Sequence, residues 1–146
     1  MTVRQAAEQD IDGIFAMVLE LAEYEKLTHL VTGTADDLRG AWTRGEVRLL
    51  AGEVEGELAG YALFFPNFST FLMKQGFWLE DIYVRPVARG KGLGKALLHA
   101  VIELGIAEGM GRVEWAVLDW NQLAIDFYEA MGAVVMPDWR ICRVVL

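Results

Sequence analysis

Apolar residues recur along this chain with two periods, and the switches between them predict an order of elements. Thr2 to Ala6 reads as a short strand. Ile14, Phe15, Val18, Leu21 and Ala22 then fall on one face of a helix that Asp10 or Asp12 can cap, with Glu20, Glu23 and Glu25 crowded at its end. Asp36 to Trp42 predicts a second, shorter helix. Val47 to Val54 and Leu58 to Phe65 are strands joined by Glu55-Gly56-Glu57 as a hairpin, and Pro66 is expected to end the second of them. An irregular loop leads to a strand near Gly76 to Val84. The helical period returns from Ala96 to Leu104 and stops around Gly109 and Gly111. Val113 to Leu118 reads as a strand, Gln122 to Met131 as a helix with Gly132 as its C-terminal cap, and Ile141 to Leu146 as a closing strand. The expectation is one mixed α/β domain over residues 1–146, without repeats, low-complexity tracts or linkers.

One junction carries chemistry. Arg89-Gly90-Lys91-Gly92-Leu93-Gly94 lies between the strand ending at Val84 and the helix entered at Ala96. A glycine-rich turn at a helix start leaves backbone N–H groups without intrahelical partners, and the positive end of the helix dipole adds to them. Such a turn suits phosphate, and Arg89 and Lys91 place charge at its mouth. The dinucleotide fingerprint fails, because the position of its third glycine is Lys95 or Leu97. The P-loop fails as well, since Gly94-Lys95 is followed by Ala96. A turn without a ligand is the plain alternative.

Composition narrows the classes. The net charge of −8 disfavours nucleic acid, which needs a basic patch, and suits a cationic substrate. Hydrophobic residues make up 54% of the chain, enough that an oligomer is expected to bury some of them. Cys142 is the sole cysteine, so no internal disulfide can form and a reducing, cytoplasmic compartment is expected. There is no signal-like run at the start and no apolar stretch of membrane-spanning length. His29 and His99 are far apart and no His/Cys cluster has metal-ligand spacing, so no metal is expected. Cys142, in an apolar terminal run, reads as buried.

The pattern Arg-x-x-Gly-x-Gly on a strand–turn–helix resembles the coenzyme-A pyrophosphate loop of the GCN5-related N-acetyltransferases. The order of elements agrees with that family. Leu79-Glu80-Asp81 before the loop, Tyr24-Glu25 after the first helix, Trp120-Asn121, Phe127-Tyr128, Gly132-Ala133 and Trp139-Arg140 resemble its diamine acetyltransferase branch. Val117-Leu118-Asp119-Trp120-Asn121-Gln122 is most similar to the thialysine enzymes within it. The resemblance implies a mixed sheet with splayed central strands flanked by helices. It also implies acetyl-CoA as co-substrate and direct acetyl transfer to a primary amine of a small cationic molecule, either a lysine analogue or a diamine or polyamine.

It further implies roles for particular residues. Arg89, Gly90, Lys91, Gly92, Leu93, Gly94 and Lys95 would hold the cofactor phosphates. Ile82, Tyr83 and Val84 would offer backbone groups to its pantetheine arm, and Asn121 would contact it or cap a helix. Glu80 would remove the amine proton, through water, and Tyr128 would protonate the leaving thiolate and touch the cofactor. Strict strand alternation sends Glu80 and Asp81 to opposite faces unless a bulge intervenes. Tyr24, Glu25, Glu80, Asp119, Trp120 and Trp139 would recognise the amine. Pro66 to Gln75 lacks the acidic residue of the polyamine enzymes and carries Lys74, which a lysine analogue's carboxylate could meet. A non-catalytic acyl-CoA sensor and a protein lysine or N-terminal acetyltransferase are the competing readings. The resembling enzymes are homodimers, so a homodimer using the C-terminal segment and Trp139 is expected.

Overall fold

β1 (Thr2–Gln5), β2 (Arg48–Val54), β3 (Glu57–Ser69), β4 (Lys74–Val84) and β5 (Val113–Glu114) form one sheet in that order. Its pairings are antiparallel except for the parallel β4–β5 contact. Four α-helices accompany it: α1 (Ile11–Tyr24), α2 (Ala35–Thr43), α3 (Leu93–Ala107) and α4 (Gln122–Ala130). The structure, a computed structural model, describes all residues, Met1–Leu146, and its backbone groups into two units, Met1–Ala116 and Val117–Leu146. No helix is long and apolar enough to cross a membrane.

In the first unit the sheet is covered on both faces. On one, Ile11, Ile14 and Met17 of α1 are buried against Leu49, Ala51, Tyr61, Leu63 and Tyr83. Phe15, expected on that face, is only partly buried, and Met17 takes the central place. On the other face lie the buried α3 residues Leu93, Leu97, Leu98 and Val101. Two glycines set how close α3 comes. A Cβ on Gly52 would stand 2.9 Å from Leu93 Cδ1, and one on Gly60 would stand 2.8 Å from the Tyr83 carbonyl oxygen. Removing those carbons lets Leu93 seat directly on the sheet, which anchors the start of α3 and the glycine turn before it.

Local chemistry explains most boundaries. Thr34 caps α2, its hydroxyl accepting from the Asp37 N–H at 3.2 Å while Asp37 accepts from the Thr34 N–H at 2.9 Å. The β2–β3 hairpin turns on Glu55 and Gly56, both at positive φ (53° and 78°), the geometry of a two-residue turn that follows strand twist. After α4, Gly132 at φ 92° stops the helix, and its N–H and that of Ala133 bond back to the Glu129 and Tyr128 carbonyls.

Four expectations fail. Pro66 does not end β3; it pairs with Phe77, and the strand runs on to Ser69. The β2 ladder has stopped at Phe64, so at Pro66 that edge of β3 needs no N–H donor. The supposed loop before Gly76 is therefore mostly hairpin. The strand expected over Val113 to Leu118 is reduced to Val113–Glu114, because its ladder with β4 extends no further. Ile141 to Leu146 forms no strand, and Cys142 is exposed rather than buried. An apolar alternation supplies strand propensity, but a strand needs a hydrogen-bonded neighbour, and this segment has none in the chain.

The turn from β1 into α1 is held by Asp10. Its carboxylate accepts from the Ala7 N–H at 2.7 Å and from both Arg4 terminal nitrogens at 2.7 and 3.0 Å, and the residue is only 6% exposed. The Arg4 hydrogen bonds hold its pKa below the ordinary carboxylate range. A depressed folded-state pKa stabilises the fold above the unfolded value of about 3.9, and that stabilisation is lost as pH falls through the folded value. Asp10→Asn is expected to cost about 2 kcal/mol at pH 7. Urea unfolding should show the gap between variant and parent narrowing as pH falls below the unfolded value of about 3.9.

Candidate active site

The sheet forks. β4 and β5 pair only at Phe77 with Val113 and Trp78 with Glu114. β4 continues to Val84, so from Leu79 onward the edge facing away from β3 carries no ladder. This is the splay expected between the central strands.

A bulge lies just past the fork. β3 pairs Leu63 with Asp81 and then Phe64 with Leu79, which leaves Glu80 without an opposite residue. One unmatched residue shifts the alternation by one. Trp78 and Glu80 therefore share a face with Asp81 and Tyr83, the face covered by α1. The contacts agree: Trp78 Nε1 donates to Glu80 Oε2 at 2.8 Å, and the Tyr61 hydroxyl donates to Asp81 Oδ2 at 2.9 Å. Simple alternation separates the two carboxylates, and the bulge reunites them.

Glu25, at the end of α1, completes an acidic cluster. Burial pushes its carboxyl up, and the Asp81 charge pushes it further. Burial also raises Asp81, with the Glu80 charge adding to it, against the Tyr61 hydrogen bond that lowers it. The Tyr61 hydroxyl is raised well above its usual range by burial and by Asp81, so it remains a donor. Asp81 thus interacts unfavourably with Glu25 on one side and with Glu80 on the other.

The glycine turn has the geometry its sequence suggested. Gly90 and Gly92 sit at φ 76° and 85°, and a Cβ on Gly90 would meet nothing within 4 Å. The first α3 bond runs from the Ala96 N–H to the Gly92 carbonyl, so the N–H groups of Leu93, Gly94 and Lys95 precede the helical ladder. Lys91 and Lys95 are exposed beside them. The Leu93 side chain is buried at 1% exposure, so only its backbone faces the turn. Arg89 points elsewhere than expected. Its Nε donates to the Val84 carbonyl at 2.9 Å, and its guanidinium lies 5.5 Å from the Tyr24 ring centroid and 5.7 Å from that of Tyr83. Glu20, Glu23, Tyr24, Tyr83, Pro86 and Arg89 line an open cleft of about 400 Å³. Arg85 pairs with Glu20 at 3.1 Å.

Ile82 and Val84 are partly buried on β4, and the Tyr83 side chain belongs to the core. In the second unit, Asn121 caps α4 through Oδ1, which accepts from the Ala124 N–H at 3.3 Å. Tyr128 is partly buried on α4, its ring 5.5 Å from that of Phe127. Asp119 is exposed, as are Trp120 at 49% and Trp139 at 74%. Lys74 starts β4 at the hairpin tip. Glu80 lies six steps along the strand from it, roughly 20 Å, too far for Lys74 to hold the carboxylate of an amino acid whose amine lies at Glu80. The sequence reading passed over Tyr61 and Trp78 and gave Asp81 no role. Tyr61 had no signal beyond its strand, whereas Trp78 adjoins the Leu79-Glu80-Asp81 motif and Asp81 lies within it.

Residues 16–133 match the acetyltransferase (GNAT) family, and the chain belongs to that family and is an acetyltransferase. Over 97% of its length it is 36% identical to the thialysine N-epsilon-acetyltransferase of Bos taurus, covering 90% of that enzyme. A shorter match, 57% identical over 59% of the chain, is to the L-ornithine N5-acetyltransferase NATA1 of Arabidopsis thaliana, and it spans 38% of that protein's length. The fold agrees with a solved probable acetyltransferase at TM-score 0.83 and 20% identity, covering 100% of this chain and 98% of the other.

The buried Asp81 carboxyl makes a testable demand on stability. Its raised folded-state pKa means the fold loses stability as pH rises from the unfolded value toward the folded one. Asp81→Asn keeps an acceptor for Tyr61 and removes the charge. We expect its melting temperature to exceed that of the parent by a few degrees at pH 7.5 and by much less at pH 4. A lower melting temperature at pH 7.5 would contradict this account.

Proposed function

We propose that this acetyltransferase moves the acetyl group of acetyl-CoA directly to a primary amine of a small cationic substrate of the thialysine or ornithine type. The observation that carries the reading is that the β4 bulge puts Glu80 and Asp81 on one face, where Glu25 at the end of α1 also feels the Asp81 charge. A cluster of mutually repelling carboxylates selects an ammonium group. The full-length thialysine relative supports the substrate class, and so does the lack of any Asp or Glu from Pro66 to Gln75 to hold the inner ammonium of a long polyamine. The residues of the glycine turn suit a diphosphate: the N–H groups ahead of the α3 ladder, the open space at Gly90, and Lys91 and Lys95. We take the two units as one transferase domain, which the family match across both supports.

An alkyl ammonium has a pKa near 10, so about one molecule in a thousand is neutral at pH 7. Glu80 removes that proton, through water, which frees the nitrogen lone pair to attack the thioester carbonyl carbon. The new C–N bond forms as the C–S bond breaks, Tyr128 gives its phenolic proton to the departing sulfur, and the second proton lost by the acylated nitrogen restores the tyrosine through water. Backbone groups of Ile82, Tyr83 and Val84 hold the acyl donor's arm along the open β4 edge. Tyr24, Asp119, Trp120 and Trp139 complete amine recognition.

Thiol release from acetyl-CoA, measured with thialysine, ornithine, lysine, diamines and spermidine, tests the substrate class. The amino acids should give the highest kcat/KM, and a preference for spermidine would overturn the assignment. Tyr128→Phe should keep amine binding while turnover falls roughly 10²- to 10⁴-fold. Glu80→Gln should lose most below neutral pH, where the amine is most fully protonated.

A homodimer completes the proposal. Val134, Trp139, Ile141, Val144 and Val145 are all more than 60% exposed in the single chain, an apolar run that a second copy would cover. Light scattering at micromolar concentration should return about twice the 16.3 kDa chain mass. A monomer would refute the dimer and leave the catalytic assignment standing.

A further inference from the structure

We infer that Trp78 is a positioning residue, holding the Glu80 carboxylate at the mouth of the fork through its indole N–H. The inference rests on the reading of Glu80 as the proton acceptor. Three observations carry it. Trp78 Nε1 donates to Glu80 Oε2 at 2.8 Å, and an indole nitrogen can only donate, so this contact directs an acceptor to one place. Trp78 is also the last residue of β4 held on both edges, opposite Phe65 on β3 and Glu114 on β5. Two residues on, Glu80 is matched on neither edge. The rigid rung therefore sits beside the loosest point of the strand, and the indole joins them.

Glu80 is exposed and its backbone lies in a bulge, so a lone side chain there samples several rotamers. A charge-assisted hydrogen bond to a fixed donor removes that freedom before the amine arrives. Orientation of this kind acts on the chemical step, because the carboxylate must meet a proton at one position. It leaves amine affinity largely alone, since Glu25 and Asp81 supply charge independently.

A double-mutant cycle tests this on the full chain, with acetyl-CoA and the best amine of the panel. Trp78→Phe keeps a ring opposite Phe65 and deletes the donor. It is expected to lower kcat roughly tenfold, with KM for the amine within about twofold. In a Glu80→Ala background the same change should cost nothing further, because the group it positions is gone. Trp78→Leu, which also lacks a donor, repeats the cycle if the phenylalanine variant melts early. Wild-type kcat in Trp78→Phe, or the same fold loss in both backgrounds, overturns the inference and leaves the role of Glu80 intact. Wild-type turnover in Glu80→Ala removes the role of Glu80 and that of Trp78 with it.

Discussion

Everything at the candidate site depends on one unmatched residue in the β3–β4 ladder. The pairing on either side of Glu80 is pinned by core side chains that cannot change face. Phe64, Phe77 and Leu79 are buried at 1% exposure or less toward α3, while Tyr61 and Leu63 pack toward α1. Without the bulge, one flank of β4 would turn its apolar set outward and send a carboxylate toward Leu93 and Leu97, where an unpaired charge costs several kcal/mol. Opposed hydrophobic patterns on the two flanks thus force an extra residue between them. The extra residue is a glutamate, and its neighbour an aspartate.

The packing of α3 is the second support. Gly52 and Gly60 allow Leu93 to lie on the sheet, and Leu93 is the first residue of the helix after the glycine turn. The same backbone contact that closes the core therefore fixes where the α3 N–H groups point. A side chain at Gly60 would press on the Tyr83 carbonyl, on the very strand whose open edge forms the fork. Core, turn and fork share these few atoms.

What the sequence disclosed follows from how local each feature is. The glycine turn, the α2 and α4 helices, the Glu55-Gly56 hairpin and the mixed α/β class were readable, because neighbouring residues determine them. The bulge was foreseen only as an exception, since a ladder shift depends on which residues face each other across two strands. Pro66 misled because a proline breaks only a ladder that needs its N–H, and sequence does not reveal where β2 ends. The last strand misled for the complementary reason: its residues favour extension, but a partner must exist. Arg89 was read from its charge and its place in the glycine motif, whereas its aromatic neighbours come from elements remote in sequence, Tyr24 on α1 and Tyr83 on β4.

The acidic cluster also explains why the protein retains a feature that lowers its stability. Burial raises Glu25 and Asp81 above their usual range, and the charges of Asp81 and Glu80 add to it, so the cluster stores unfavourable charge. In the function proposed above, a bound ammonium reverses the sign of that repulsion. It lowers both carboxyls toward their ordinary values, and the free energy released appears as amine affinity. The same strain discriminates against a neutral acceptor, which gains nothing from relieving it. A polar cluster of lower charge would give a firmer fold and a weaker preference for cations. The carboxylates at the bulge therefore link the stability of the sheet to the selectivity of the site.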